Sequence, residues 1–156
     1  MKYRMLSNDE LAHLEDDLKA FLIINGIHTE EWKRLNTEDP SKAIELVGIF
    51  SDTVLQKVYE KMSYLEFRSP DSCMVFYFAD DKMQLISFNR QAGSTVDLSS
   101  PDSIHKALVG HFDQLSFFRS ERSYSTTREM EIHDLLDQGC YVSSEAFWIS
   151  LEEVLN

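Results

Sequence analysis

The sequence is short of basic residues, and this shortage narrows the range of possible partners. Lys and Arg total 15 against 27 Asp and Glu, which gives the 156-residue chain a formal net charge of −12. Binding to nucleic acid or to an anionic membrane surface requires clustered positive charge. We therefore expect neither of these partners. Cations, small molecules and neutral or basic protein surfaces are favoured instead.

Cysteine is equally scarce, since Cys73 and Cys140 are the only two in the chain. Two cysteines outside a CxxC pair cannot build a disulfide scaffold, so both are expected to be reduced thiols. No apolar run approaches the roughly 20 residues that span a bilayer. No apolar stretch follows the basic residues at the N-terminus, as a signal peptide would require. These features predict a cytoplasmic protein.

The familiar signatures of catalysis and cofactor binding are also missing. The five glycines are scattered, so there is neither a P-loop nor a GxGxxG motif. The serines form no GxSxG motif, and the five histidines form no HExxH motif. We therefore expect no cofactor and no metal site, and we assign no catalytic residue.

The residues that are present suit one globular domain over residues 1–156. Hydrophobic residues make up 43% of the chain and aromatic residues 12%, which argues against a disordered chain. Several stretches have apolar residues at helical spacing behind a capping residue, as Ser7 and Glu10 illustrate with a capping box. The predicted helices cover residues 8–25, 30–35 and 40–62, and three more begin after Ser100, after Thr126 or Thr127, and after Ser144.

The spacing of apolar residues changes from helical to alternating in the middle of the chain. Residues 64–68 alternate, and residues 73–78 and 83–88 flank a short polar turn, which predicts a β-hairpin. Residues 115–119 could form a further strand. Because strands and helices are segregated along the chain, the sequence predicts an α+β fold. Its small antiparallel sheet (hairpin 73–88 plus strand 64–68) would pack against about five helices.

Four segments of the sequence resemble a family of uncharacterised bacterial proteins of similar length. The first is the start of the chain, which reads MKYRMLSNDEL. The other three read FLIINGIHTEEW from Phe21, YLEFRSP from Tyr64 and REMEIHDLLDQG from Arg128. The family is a domain of unknown function and carries no catalytic signature. The resemblance therefore implies a small cytoplasmic protein and no mechanism.

Four arginines are the candidate ligand-binding residues. Arg119, Arg122 and Arg128 lie among aromatic and hydroxyl side chains just before a predicted helix, which suits a phosphate or carboxylate. The alternative is that they pair with Glu121, Glu129 and Glu131 on a solvated face. Arg68 ends a predicted strand, where it could line a cleft or simply extend over the core.

Three hypotheses for function follow. The first, which the missing motifs favour, is a non-enzymatic protein-interaction module that binds a partner or itself, with Tyr3, Trp32 and Trp148 as aromatic anchors. The second is an enzyme or binding protein for a small molecule, with a cleft between the sheet and the helices that contains Arg68 or Arg128. The third is an acidic inhibitor or immunity-like protein of a basic enzyme, which rests on the net charge alone.

Overall fold

A computed structural model describes all 156 residues of the chain. Contacts within the chain divide it into two compact units, Met1–Val58 and Tyr59–Asn156. The single domain over residues 1–156 stays a prediction.

The first unit is helical. Its elements are α1 (Asn8–His13), α2 (Glu15–Ile24), α3 (Thr29–Glu38) and α4 (Pro40–Lys61), the last of which ends in the second unit. The capping box of Ser7 and Glu10 is confirmed. The single helix over residues 8–25 is wrong, because Leu14 leaves helical geometry at φ −110° and ψ 21°. Three acidic residues follow Leu14 and favour a new helix N-terminus there.

The first residues of the chain are fixed by hydrogen bonds to α4. The backbone N–H of Tyr3 donates to the Asp52 carboxylate at 2.8 Å. The backbone N–H of Leu6 donates to Ser51 Oγ at 3.1 Å, and the fully buried Ser51 hydroxyl donates in turn to the Val47 carbonyl. This network gives a buried hydroxyl in an otherwise apolar helix face both of its partners.

The second unit contains a five-stranded antiparallel sheet. Its strands are β1 (Tyr64–Arg68), β2 (Ser72–Phe78), β3 (Lys82–Arg90), β4 (Leu115–Ser123) and β5 (Tyr141–Val142). Their order across the sheet is β4-β3-β2-β1-β5. The predicted hairpin is confirmed, with Val75 opposite Ile86. β4 extends four residues beyond its predicted end. The sequence does not reveal this extension, because the last residues of the strand are polar on both faces and show no alternation.

Helices complete the second unit. They are α5 (Pro101–Gly110), α6 (Arg128–Asp137) and α7 (Glu145–Leu155), and a single 3₁₀ turn covers Phe112–Gln114. One sheet face carries Cys73, Val75, Ile86 and Phe88, which are fully buried with residues of α5 and α7. The mixed α+β fold with a small sheet packed against helices is confirmed. It has seven α-helices where the sequence predicted about five.

Candidate ligand-binding cleft

The three arginines between residues 119 and 128 do not converge on one site. Arg119 lies opposite Ile86 and Arg122 lies opposite Met83, so their side chains leave opposite faces of the sheet. Arg119 pairs with Glu152 of α7 at 3.2 Å. Arg122 pairs with Glu131 of α6 at 3.1 Å. The segment therefore presents two separate ion pairs rather than a cationic pocket.

The place where an anion would bind is occupied by the chain's own Glu131. This carboxylate is buried and accepts the backbone N–H and the hydroxyl of Ser125 at 3.1 and 2.9 Å, besides Arg122. Burial alone would raise the pKa of the Glu131 carboxyl, but these hydrogen bonds hold it below its usual range. Ser125 and Arg122, which lie in the segment predicted to bind a phosphate or carboxylate, thus donate their hydrogen bonds to Glu131 of the same chain.

The Arg128 guanidinium donates hydrogen bonds to three backbone carbonyls. Its Nε donates to the Phe78 carbonyl at 3.2 Å and its Nη1 to the Tyr59 carbonyl at 3.1 Å. Its Nη2 donates to the Met62 carbonyl. The guanidinium therefore binds carbonyls at the end of α4 and the end of β2, and the Tyr59 carbonyl also accepts the backbone N–H of Met62 at 3.2 Å.

Arg68 lies on the face of β1 that also carries Glu66, on the same side of the sheet as the buried Cys73. Its guanidinium carbon is 4.5 Å from the centroid of the Tyr141 ring, a cation–π contact. Its Nε lies 3.3 Å from Glu66 Oε2, which makes an ion pair without the alignment of a hydrogen bond. Both side chains are largely buried, with 15% and 14% exposed.

A cavity of about 310 Å³ opens beside Glu66, between β1, α5 and α7. This is within the range of roughly 300–1,000 Å³ that small-molecule sites occupy. The lining from α5 is apolar except for His105, and the lining from α7 and its N-cap has both apolar and polar side chains. The lining residues are Glu66, Pro101, Ile104, His105, Leu108, Ser144, Phe147 and Ser150. We call this space the cleft.

Polar groups in and around the cleft are left with unused hydrogen-bonding capacity. Arg68 Nε and Ser143 Oγ are buried and have no hydrogen-bond partner. The Glu66 carboxylate lies 3.3 Å from the same Arg68 Nε and forms an ion pair with it. Buried polar groups in native proteins are almost always hydrogen-bonded. The edge of the sheet formed by β1 and β5 is therefore unusual, because two buried polar atoms there have no hydrogen-bond partner.

Glu66 is the one residue of the cleft that carries a signal in the sequence. In a strand that alternates, Tyr64, Glu66 and Arg68 share one face, and the register places Glu66 opposite the fully buried Val75. An acidic residue on the core side of a strand is a signal in itself. His105, Ser144 and Ser150 carry no such signal, because they reach the cleft through helix packing.

Cys73 lies next to this ion pair, fully buried. Burial, with the nearby Glu66 carboxylate, raises the pKa of the Cys73 thiol to about 12, against a smaller opposite effect of Arg68. Burial also raises the pKa of the Cys140 thiol. Both groups are therefore protonated and shielded, which are the conditions for an inert thiol.

We accordingly expect neither thiol to react in the folded protein. Titration with Ellman's reagent near pH 8 should label both cysteines only after denaturation, with native rates on the order of 100-fold lower. Cys73→Ala and Cys140→Ala, measured separately, assign each signal. Fast labelling of native protein that disappears in Cys73→Ala would contradict the burial of that thiol.

The three aromatic residues proposed as interface anchors have different environments. Trp148 is 3% exposed and packs against the Tyr77 ring at 5.7 Å, so it belongs to the core and offers no surface to a partner. Trp32 is half-buried beside a small cavity of the first unit. Tyr3 is half-buried, and its hydroxyl donates to Gln56.

No helix of the structure is both long enough and apolar enough to span a membrane. A family model described as "Family of unknown function (DUF6495)" matches residues 1–156. No curated protein and no solved structure matches the sequence.

Proposed function

The chain belongs to DUF6495, a family of unknown function, and from its geometry we propose that it binds a small organic cation in the cleft. Glu66 is the residue that binds the cationic head, and the apolar lining holds the rest of the molecule. The proposal concerns binding and includes no chemical step.

The observation that carries the proposal is the state of the Glu66 carboxylate. It lines a cavity, only 14% of its side chain is exposed, and its ion pair with Arg68 Nε at 3.3 Å lacks the alignment of a hydrogen bond. An ionised carboxylate has about four acceptor positions. Removing such a group from water is costly unless hydrogen-bond donors replace the water. A ligand that brings donors to Glu66 therefore lowers this cost, which favours binding.

The chemistry of the cleft specifies the class of ligand. An ammonium group supplies donors and a charge opposite to that of Glu66, and an alkyl or aryl body matches Ile104, Leu108 and Phe147. Arg68 pairs with one oxygen of Glu66 and stacks on Tyr141, which fixes the carboxylate in place. The net charge of −12 attracts cations over longer distances.

Three probes of equal length test the proposal: hexylammonium, hexan-1-ol and hexanoate. Calorimetry should show the order hexylammonium, then hexanol, then hexanoate in affinity. Glu66→Gln keeps the shape of the side chain and removes its charge. It should weaken hexylammonium binding about tenfold or more, because a charge-assisted hydrogen bond in a partly buried site contributes roughly 1.5–3 kcal/mol.

Two control variants separate the cleft from the general charge of the protein. Glu153→Gln makes the same change at an exposed position of α7 and should leave affinity within about twofold. Ser150→Trp fills the cleft without changing charge and should abolish binding of all three probes. Equal affinity of Glu66→Gln and wild type for hexylammonium, or binding that survives Ser150→Trp, would reject the cleft as the site.

We place the protein in the cytoplasm, and its two free, buried thiols suit a reducing compartment. The interaction-module and inhibitor hypotheses stay predictions, and the open edge of the sheet bears on the first of them.

A further inference from the structure

Strand β4 is an open edge of the sheet. It stands at the end of the order β4-β3-β2-β1-β5, pairs only with β3, and extends over nine residues. Every side chain from Phe118 to Ser123 is exposed, and 59% of Phe118 is accessible. The strand contains no proline. A long exposed edge of this kind has a row of unpaired N–H and C=O groups that can pair with another strand.

We propose that β4 pairs antiparallel with β4 of a second copy, around a two-fold axis at Ser120, to give a homodimer with a continuous ten-stranded sheet. This inference is independent of the ligand proposed for the cleft. The occupant of the edge is specified by the charges of the strand itself.

The charges of β4 select one register. In antiparallel pairing centred on Ser120, Arg119 of each copy lies opposite Glu121 of the other, and opposite charges across strands stabilise a sheet. Centring on residue 119, 121 or 122 would instead place two arginines, two glutamates or two arginines directly opposite each other. Among these four registers, only the one at Ser120 pairs opposite charges and avoids like ones.

The neighbouring side chains fit the same register. Lys82 pairs with Glu121 at 3.0 Å and Arg119 pairs with Glu152 at 3.2 Å within one copy. In the dimer these pairs would join into a row of alternating charges. The row begins with Glu152 and Arg119 of one copy and continues with Glu121 and Lys82 of the second copy. On the other sheet face, Phe118 would lie opposite Arg122, where a guanidinium can stack on the exposed ring. Ser120 would lie opposite itself, and its small side chain allows close approach.

Charge reversal with rescue tests the proposal by sedimentation velocity over a range of concentrations. The wild type should show a monomer–dimer equilibrium. Arg119→Glu and Glu121→Arg each create two like-charge pairs across the axis and should raise the dissociation constant about tenfold or more. The double variant Arg119→Glu with Glu121→Arg restores opposite charges and should return to within about threefold of the wild type.

A matched control and a fold check accompany these variants. Lys33→Glu makes the same reversal in an exposed ion pair of α3 and should leave the equilibrium unchanged. Thermal unfolding shows whether each variant folds, since exposed pairs such as those of Arg119 and Glu121 contribute little to stability. A wild type that is monomeric throughout, or a dimer that withstands both single reversals or is not rescued by the double change, overturns the proposal.

A cross-link tests the register without changing any charge. Ser120→Cys would face its own copy across the two-fold axis, at a separation that a disulfide bridges. It should give a covalent dimer on mild oxidation. Ser116→Cys would face Tyr124 of the second copy and should stay monomeric under the same conditions. Equal cross-linking of both variants, or none of Ser120→Cys, contradicts pairing at Ser120.

Discussion

Replacement of Trp148 by alanine should lower the free energy of unfolding by about 3–5 kcal/mol. Trp148 is 3% exposed and packs against Tyr77 and Tyr64, with ring centroids at 5.7 and 6.3 Å. Its removal leaves a cavity beside the sheet that small movements of rigid strands cannot fill. Urea unfolding followed by circular dichroism measures the loss.

The second tryptophan supplies the control for this experiment. Trp32 is half-buried on α3, so Trp32→Ala should cost about 1 kcal/mol, with less area lost from burial. A loss for Trp148→Ala that is no larger than for Trp32→Ala would contradict the assignment of Trp148 to the core. It would reopen the hypothesis that Trp148 is an interface anchor.

Arg128→Met should be the next most damaging change, with an expected loss of about 3 kcal/mol. The variant keeps an apolar stem but removes the donors to the carbonyls of Phe78, Tyr59 and Met62. These carbonyls would then lack a charged partner in a site where the arginine side chain is 14% exposed. Arg128→Lys should recover little, because a single ammonium cannot reach three carbonyls in different directions.

Arg34→Met is the matched control for Arg128→Met. Arg34 forms ion pairs with Glu31 and Glu38 on a solvated face, with 58% of its side chain exposed. Its loss should cost less than about 1 kcal/mol. Urea unfolding of both variants gives the comparison. A similar small loss for the two arginines would show that Arg128 is not the structural residue that its hydrogen bonds indicate.

Local signals in the sequence predict most of the helices and the central hairpin. Ser7, Ser100 and Ser144 cap helices as their positions indicate, because a capping hydroxyl acts within three residues of itself. Strands β2 and β3 are visible in the sequence because both are rich in apolar side chains, many of which are buried. The polar end of β4 and the two-residue β5 have no such pattern and form only because β3 and β1 present partners.

The candidate site was less accessible to the same reasoning. The sequence pattern points to Arg68 as a residue at a strand end but not to its partner Glu66, although both lie on the same face of β1. The sequence places three arginines close together, at Arg119, Arg122 and Arg128, but the fold separates them in space. Arg119 and Arg122 leave opposite faces of a strand, and a turn lies between that strand and α6. Nearness in sequence is a poor guide to a site wherever the chain changes from strand to helix.

The central claim is that the cleft beside Glu66 takes an organic cation, and a two-dimensional amide NMR titration with hexylammonium tests it most directly. We predict shift changes that concentrate at Glu66, His105, Ser144, Phe147 and Ser150, and that in Glu66→Gln these changes require a hexylammonium concentration about tenfold higher or more. Changes spread over acidic surface residues, or changes at the cleft that persist unaltered in Glu66→Gln, would contradict it.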